Sequence, residues 1–168
     1  DNIIKEKLQN GEKGEYLPYV IDYAAGSGHF LTETMHEVQR IIDNNEFPDV
    51  KAEVKRFIKQ AKEFHFDWAF DYVYGIEKDY RLVKVGCYLH GDGLANVIHS
   101  DGLANFEHKD YKGKLAIKDK NFEKDNKQFD IIVSNPPYSV SAFKNAARSF
   151  YKEGDFELYN KLTDNSSE

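Results

Sequence analysis

The sequence has a single cysteine, Cys87, in 168 residues. An intrachain disulfide is excluded, and the count fits a reducing cytoplasm rather than a disulfide-stapled secreted domain. No run is apolar or long enough to cross a bilayer, and no segment reads as a signal peptide. Positive charge is not in excess. Lys and Arg number 23 against 29 Asp and Glu, a formal net charge of −6. That balance argues against a chain that by itself grips phosphate backbone strongly. If the partner is nucleic acid, the basic surface is local or lies on another domain or subunit. No internal repeat and no low-complexity tract is present beyond the final polar tail.

What remains is the composition of an ordinary globular domain, 40% hydrophobic and 31% charged. The length is enough for one domain with a real core. Prolines are few, and two of the four are adjacent, Pro136 and Pro137. They follow the run Phe129-Asp130-Ile131-Ile132-Val133-Ser134, which reads as a fully buried central strand of a parallel sheet. Neither proline has an N–H for the ladder, so the strand stops there. Asn135, Pro136, Pro137 and Tyr138 then stand at its carboxyl end, where open α/β sheets bind ligands. The Asn135 amide oxygen and the Pro136 carbonyl are two acceptors close together, suited to a planar NH2 group with two protons to give. Tyr138 offers a flat face for stacking. The plainer reading is a strand closed by a proline turn.

A second informative stretch opens at Pro18. Tyr19-Val20-Ile21-Asp22 is a short strand candidate that runs into Ala24-Ala25-Gly26-Ser27-Gly28. Leu31, Met35, Val38, Ile41 and Ile42 then recur at helical spacing, predicting a helix from about His29 to Asp43. Gly26 and Gly28 allow tight turning and close approach to a ligand. Free N–H groups at the helix start favour a carboxylate or phosphate. The turn is not G-x-G-x-x-G, since position 31 is Leu, and no Lys follows the glycines as in a Walker loop. Asp22 would repel a phosphate and accept from an ammonium. A ligand with both a carboxylate and an amino group fits this corner. An ordinary glycine-rich β–α turn is the alternative.

Between the two lie weaker signals. The first fourteen residues hold a possible short helix on Ile3, Ile4 and Leu8. Val50, Val54, Phe57, Ile58 and Ala61 predict a second amphipathic helix with a solvated charged face. The aromatic stretch Phe64 to Tyr72 reads as packing of this inserted helix on the sheet, and His65 has no second metal ligand at useful spacing. Tyr72 to Glu77 is the next strand, followed by a helix from about Asp79 to His90. Asn96 to Asp101 is a third. Acidic residues thus fall at three strand ends: Asp22, Glu77 and Asp101. A residue in Glu77's place commonly accepts from ribose hydroxyls, although here the inserted helix delays it beyond the usual ~20 positions. Phe106 to Gln128 is a lysine-rich but charge-mixed surface loop with a possible hairpin at Lys114 to Ile117. Short helices are expected over Phe143 to Phe150 and Phe156 to Leu162.

Two stretches together, Asp22-Tyr-Ala-Ala-Gly-Ser-Gly-His-Phe-Leu31 and Ile132-Val-Ser-Asn-Pro-Pro-Tyr138, resemble the N6-adenine DNA methyltransferases. The likeness is greatest to the methylation subunits of type I restriction–modification systems and related fused enzymes. In that family a D-P-A-[CA]-G-S-G turn binds S-adenosylmethionine and N-P-P-Y binds the target adenine, and the order here matches the gamma arrangement. The resemblance spans about residues 17 to 145, after a leader (1–16) and before a following segment (146–168). It implies an α/β, Rossmann-like S-adenosylmethionine-dependent methyltransferase fold, a mostly parallel sheet with flanking helices, truncated after the fourth strand. It implies that Asp22, Ala24, Gly26 and Gly28 line the methionine end of the cofactor. Glu77 would hold the ribose, with Ile76 or Lys78 beside the adenine ring. Asp101 would accept from the cofactor's adenine amine, next to Gly102 and Leu103. Asn135 and Pro136 would accept the target amine's protons, and Pro137 and Tyr138 would hold the flipped base. No metal and no covalent intermediate is implied, so Cys87 has no role.

The chain departs from the pattern in places. Tyr23 stands where the family has proline, and the aromatic motif upstream of the glycine turn is reduced to Tyr16-Leu17-Pro18. Neither further strands nor a target recognition domain is recognisable. The chain is expected to be the front part of a catalytic domain, inactive alone, that works on DNA with a specificity subunit or a separate recognition domain. Its incomplete sheet is expected to self-associate. N-P-P-Y also occurs in enzymes that methylate a glutamine side chain or guanine N2 in RNA, because all present a planar amine or amide. A non-catalytic nucleotide-binding or scaffold module is the reading from a different class.

Overall fold

Four short apolar segments assemble into one parallel sheet. They are β1 (Val20–Asp22), β2 (Val73–Glu77), β3 (Asn96–His99) and β4 (Ile131–Ile132). The computed structural model describes residues 2–78, 96–102 and 129–136. The helix expected over 79–90 with Cys87, Leu103, the stretch 106–128, Pro137, Tyr138 and the helices expected near 143–150 and 156–162 lie outside the described residues.

The strand order is β3-β2-β1-β4, with every pairing parallel. After β1 the chain proceeds outward through β2 and β3, and β4 returns to the other side of β1. The direction of winding therefore reverses between β1 and β4. Crevices at such a reversal, outside the carboxyl ends of the strands, are where open α/β sheets take ligands.

Helices α1 (Asn2–Asn10), α2 (His29–Asn44), α3 (Ala52–Glu63) and the single turn α4 (Ala69–Tyr72) complete the described architecture. The expected stripe of α2 is the one that is buried: Leu31, Met35, Val38, Ile41 and Ile42 are at most 2% exposed. They share a core with Leu8, Leu17, Val54, Trp68 and Val73. Burying each such side chain contributes about 1.5–3 kcal/mol. The exposed Arg40–Glu37 pair on the same helix is screened by solvent and adds little. Packing, not surface charge, seats α2. Gly75 makes this seat possible, because a Cβ there would stand 2.7 Å from Leu31 Cδ1. Alternate strand residues Ile21, Tyr74, Ile76 and Ile98 form a second cluster. Two buried faces are what a parallel sheet requires. Among the described residues, no helix is long and apolar enough to cross a membrane.

Several expectations need correction. β4 is parallel as expected, and it pairs with β1, but it is not a fully buried central strand. Only two of its residues enter the ladder, and Ile132 is 66% exposed. Asp130 explains where it begins, since its Oδ2 accepts the Tyr19 N–H at 2.8 Å instead of leaving that group to a ladder carbonyl. It ends at Ile132, before the prolines are reached. Tyr72 belongs to α4 rather than to β2, and its hydroxyl donates to the Gly14 carbonyl while accepting the Tyr16 N–H. β3 ends at His99, leaving Asp101 in the following turn. The aromatic stretch is divided: Trp68 and Tyr72 are buried, whereas Phe64 and Phe70 are half exposed.

Gln39 is the polar residue that joins the inserted helices. It is 3% exposed, and its amide is well satisfied. Nε2 donates to Asp43 Oδ1 at 2.9 Å and to the Ala61 carbonyl at 3.0 Å. Oε1 accepts from Trp68 Nε1 at 2.8 Å and from the Phe66 N–H at 3.3 Å. Phe66 has φ 66°, a left-handed backbone unusual for a bulky residue and held by this bond. We expect Gln39→Ala to lower stability by about 2–4 kcal/mol, because it orphans buried donors and an acceptor. Urea unfolding measures this, and a change below ~1 kcal/mol would deny the network its role.

Candidate functional site

Parallel pairing brings the ends of all four strands to one edge of the sheet. Asp22 is the last residue of β1, Glu77 the last of β2, and Asp101 and Asn135 follow β3 and β4 shortly after their ends. Strand topology thus gathers the expected acidic residues and the start of the Asn135 segment.

The glycine turn is fastened to this edge by β2. The Ala25 N–H donates to the Ile76 carbonyl at 3.1 Å, and the Gly26 N–H donates to Glu77 Oε2 at 2.8 Å. Gly28, at φ 84°, then caps α2 in a left-handed conformation that a side chain would strain. Gly28 has no side chain to cap α2, so among the described residues the first N–H groups of the helix have no side-chain cap and face solvent or a ligand. Gly26 is exposed and Ala24 half-buried beside it. Glu77 therefore has a role the sequence does not reveal: one of its oxygens holds the turn itself.

Asp22 is the electrostatic centre. It is 1% exposed. Its Oδ1 accepts from the Ala24 N–H at 2.9 Å and from the Ser134 hydroxyl at 3.0 Å. No described residue donates to Oδ2. Burial pushes the carboxyl above the usual carboxylate range, the two donors pull it back, and the nearby Glu77 charge pushes it up again. A buried carboxylate oxygen without a donor calls for a cation.

The end of β3 closes the edge. A Cβ on Gly102 would run into the Tyr23 carbonyl, so only glycine lets these two loops meet. Asp101 lies 4.0 Å from Lys78 Nζ. Ile76, considered above as a neighbour of a ligand ring, is fully buried in the second cluster with Ile21, Tyr74 and Ile98. Lys78 is exposed just after the end of β2, beside Asp101. On the β4 side, Asn135 is exposed and Pro136 half-buried. Sequence reasoning missed Ser134, whose signal was a hydroxyl one position before Asn135 in an otherwise apolar run.

The family model described as N-6 DNA Methylase matches residues 6–166, nearly the whole chain. The chain belongs to the N-6 DNA methylase family. Comparison with curated proteins gave no match. Membership in the N-6 DNA methylase family implies DNA methyltransferase activity, and members of the family generally depend on S-adenosylmethionine. The residues present fit that cofactor. Asp22 Oδ2, without a donor among the described residues, suits its ammonium, and the start of α2 behind Gly28 suits its carboxylate.

Asp22 also sets a pH dependence in the ligand-free protein. Its folded pKa lies above the unfolded value, so the folded state favours the protonated form. The resulting penalty is absent below the usual carboxylate range. It grows as pH rises through the unfolded pKa and is complete above the folded pKa. Asp22→Asn removes the penalty and keeps one acceptor oxygen. We expect this variant to melt at a higher temperature than the unsubstituted protein at pH 7 to 8, with the gap closing towards pH 3. Thermal unfolding across that range checks it; an equal gap at both ends would contradict it.

Proposed function

We propose that this chain transfers a methyl group from S-adenosylmethionine to the N6 amine of adenine in DNA. The observation that carries the reading is the hydrogen bond between Ser134 and Asp22 at the reversal of the sheet. It seats the segment that begins at Asn135 directly beside the glycine turn, so that a donor and an acceptor of a methyl group can face one another.

In this reading Asp22, Ala24, Gly26 and Gly28 hold the amino-acid end of the cofactor. Glu77 meets the ribose, Lys78 lies beside the adenine ring, and Asp101 accepts from that ring's amine. When bound, S-adenosylmethionine supplies a methyl group already activated by its sulfonium. The chain's own contribution is positioning and electrostatics. The target amine is a weak nucleophile, because its lone pair is delocalised into the ring. The Asn135 side-chain oxygen and the Pro136 carbonyl each accept one of its protons. Two such bonds favour a more pyramidal nitrogen with its lone pair aimed away from the acceptors. Tyr138 stacks on the base, which offsets part of the few kcal/mol needed to take it out of the duplex. Pro137 fixes the backbone between them.

The net charge of −6 supports a division of labour. The chain presents the chemistry, and a specificity subunit or a separate recognition domain supplies most of the grip on phosphates. That arrangement belongs to a restriction–modification system.

The test is to incubate the full-length protein, with its partner subunits, with labelled S-adenosylmethionine and pools of DNA, RNA and protein. The product is then identified by mass spectrometry. N6-methyladenine in DNA is the expected product; methylated glutamine or methylated guanine in RNA would overturn the choice of substrate. Asn135→Ala should lower kcat by about 10²–10³-fold while cofactor affinity stays within about threefold. An unchanged kcat would remove Asn135 from the site.

A further inference from the structure

Among the described residues, the Ser134 hydroxyl bond to Asp22 is the side-chain link between the two halves of the site. The hydroxyl donates to Asp22 Oδ1, on a carboxylate whose other oxygen has no donor among the described residues. On its other side the backbone continues directly into Asn135 and Pro136. Just past the ladder, the Val133 N–H still donates to the Ile21 carbonyl at 3.0 Å. Beyond that point the backbone has no further ladder bond to β1 among the described residues, and the Ser134 side chain takes over.

We propose that Ser134 is a positioning residue that couples occupancy of the Asp22 corner to the placement of Asn135 and Pro136. This deepens the reading above and rests on it. A cation seated on Oδ2 holds the carboxylate in its ionised form. An ionised carboxylate is the stronger acceptor, so the Ser134 hydroxyl bond tightens and the segment it begins is held more firmly. Linkage makes the effect reciprocal: a substrate that orders Asn135 strengthens the hold on the amino group at Asp22. The target-amine acceptors are thus ordered best when the cofactor is in place.

Two alternatives would give Ser134 a different meaning. It could be a filler at the end of β4, in which case its removal loosens the strand whether or not a ligand is bound. It could serve only to tune Asp22, in which case its removal changes cofactor affinity and nothing at Asn135. Each leaves a different signature.

The experiment uses the full-length protein and S-adenosylhomocysteine, which carries the same ammonium and carboxylate and transfers nothing. Calorimetry gives its affinity, and amide hydrogen exchange at Asn135 gives the order of the segment. In the unsubstituted protein we expect the ligand to slow exchange at Asn135 by roughly fivefold or more. In Ser134→Ala we expect the ligand still to bind, with the slowing at Asn135 reduced to under about twofold; Ser134→Thr, which keeps the hydroxyl, restores it. Ser134→Cys keeps the size with a weak donor and gives the same answer if the alanine variant is unstable. Equal slowing in Ser134→Ala and in the unsubstituted protein would overturn the inference and leave the proposed function standing. Failure of the unsubstituted protein to bind S-adenosylhomocysteine would overturn both.

Discussion

The Asp22 carboxylate is the interaction on which the site depends. It is buried at the end of the central described strand, and one of its oxygens is shared by two donors from different places in the chain. The Ala24 N–H starts the glycine turn and the Ser134 hydroxyl starts the Asn135 segment. Burial makes this arrangement unstable towards ionisation unless a cation arrives. A folded chain that keeps such a group, rather than an apolar one of similar size, holds a place for a positive ligand.

Everything that surrounds Asp22 serves to keep it there. Gly75 lets Leu31 press α2 against the sheet, which places the helix start next to the strand end. Glu77 reaches across from β2 to fix the Gly26 N–H. Gly102 lets the β3 loop come up against the Tyr23 carbonyl. Further from the edge, Gln39 ties α2, α3 and the Trp68 turn together with well-shaped hydrogen bonds. Asp130 anchors the start of β4 through the Tyr19 N–H and a 3.0 Å ion pair with Lys7 of α1. The apolar core supplies most of the stabilisation, while these polar contacts choose the register in which it packs.

Much of this was legible in the sequence, because it rests on local pattern. The stripe from Leu31 to Ile42 gave α2, and the glycines after Asp22 gave the turn. The acidic strand ends gave the edge, since parallel strands bring equivalent ends together. What was not legible depends on partners far apart in the chain. Nothing local marks Gln39 as buried rather than as a polar residue on an amphipathic helix. Ser134 reads as a strand terminus until β4 is paired with β1. Ile76 and Glu77 are neighbours in sequence, but Ile76 is buried in the second cluster while Glu77 reaches the glycine turn. The apolar run at β4 suggested full burial, but an Asp at its start takes the Tyr19 N–H and the ladder spans only Ile131 and Ile132. The family match over residues 6–166 agrees with the reading that local motifs supported.

The most direct test of the central claim is a crystal structure of the protein with S-adenosylhomocysteine bound. The expected result is its ammonium within hydrogen-bond distance of Asp22 Oδ2 and its carboxylate at the start of α2. The Ser134 bond to Oδ1 should be retained. An ammonium left in solvent, or a ligand seated away from the β1–β4 reversal, would contradict the assignment of Asp22 as the cation-holding centre of this site.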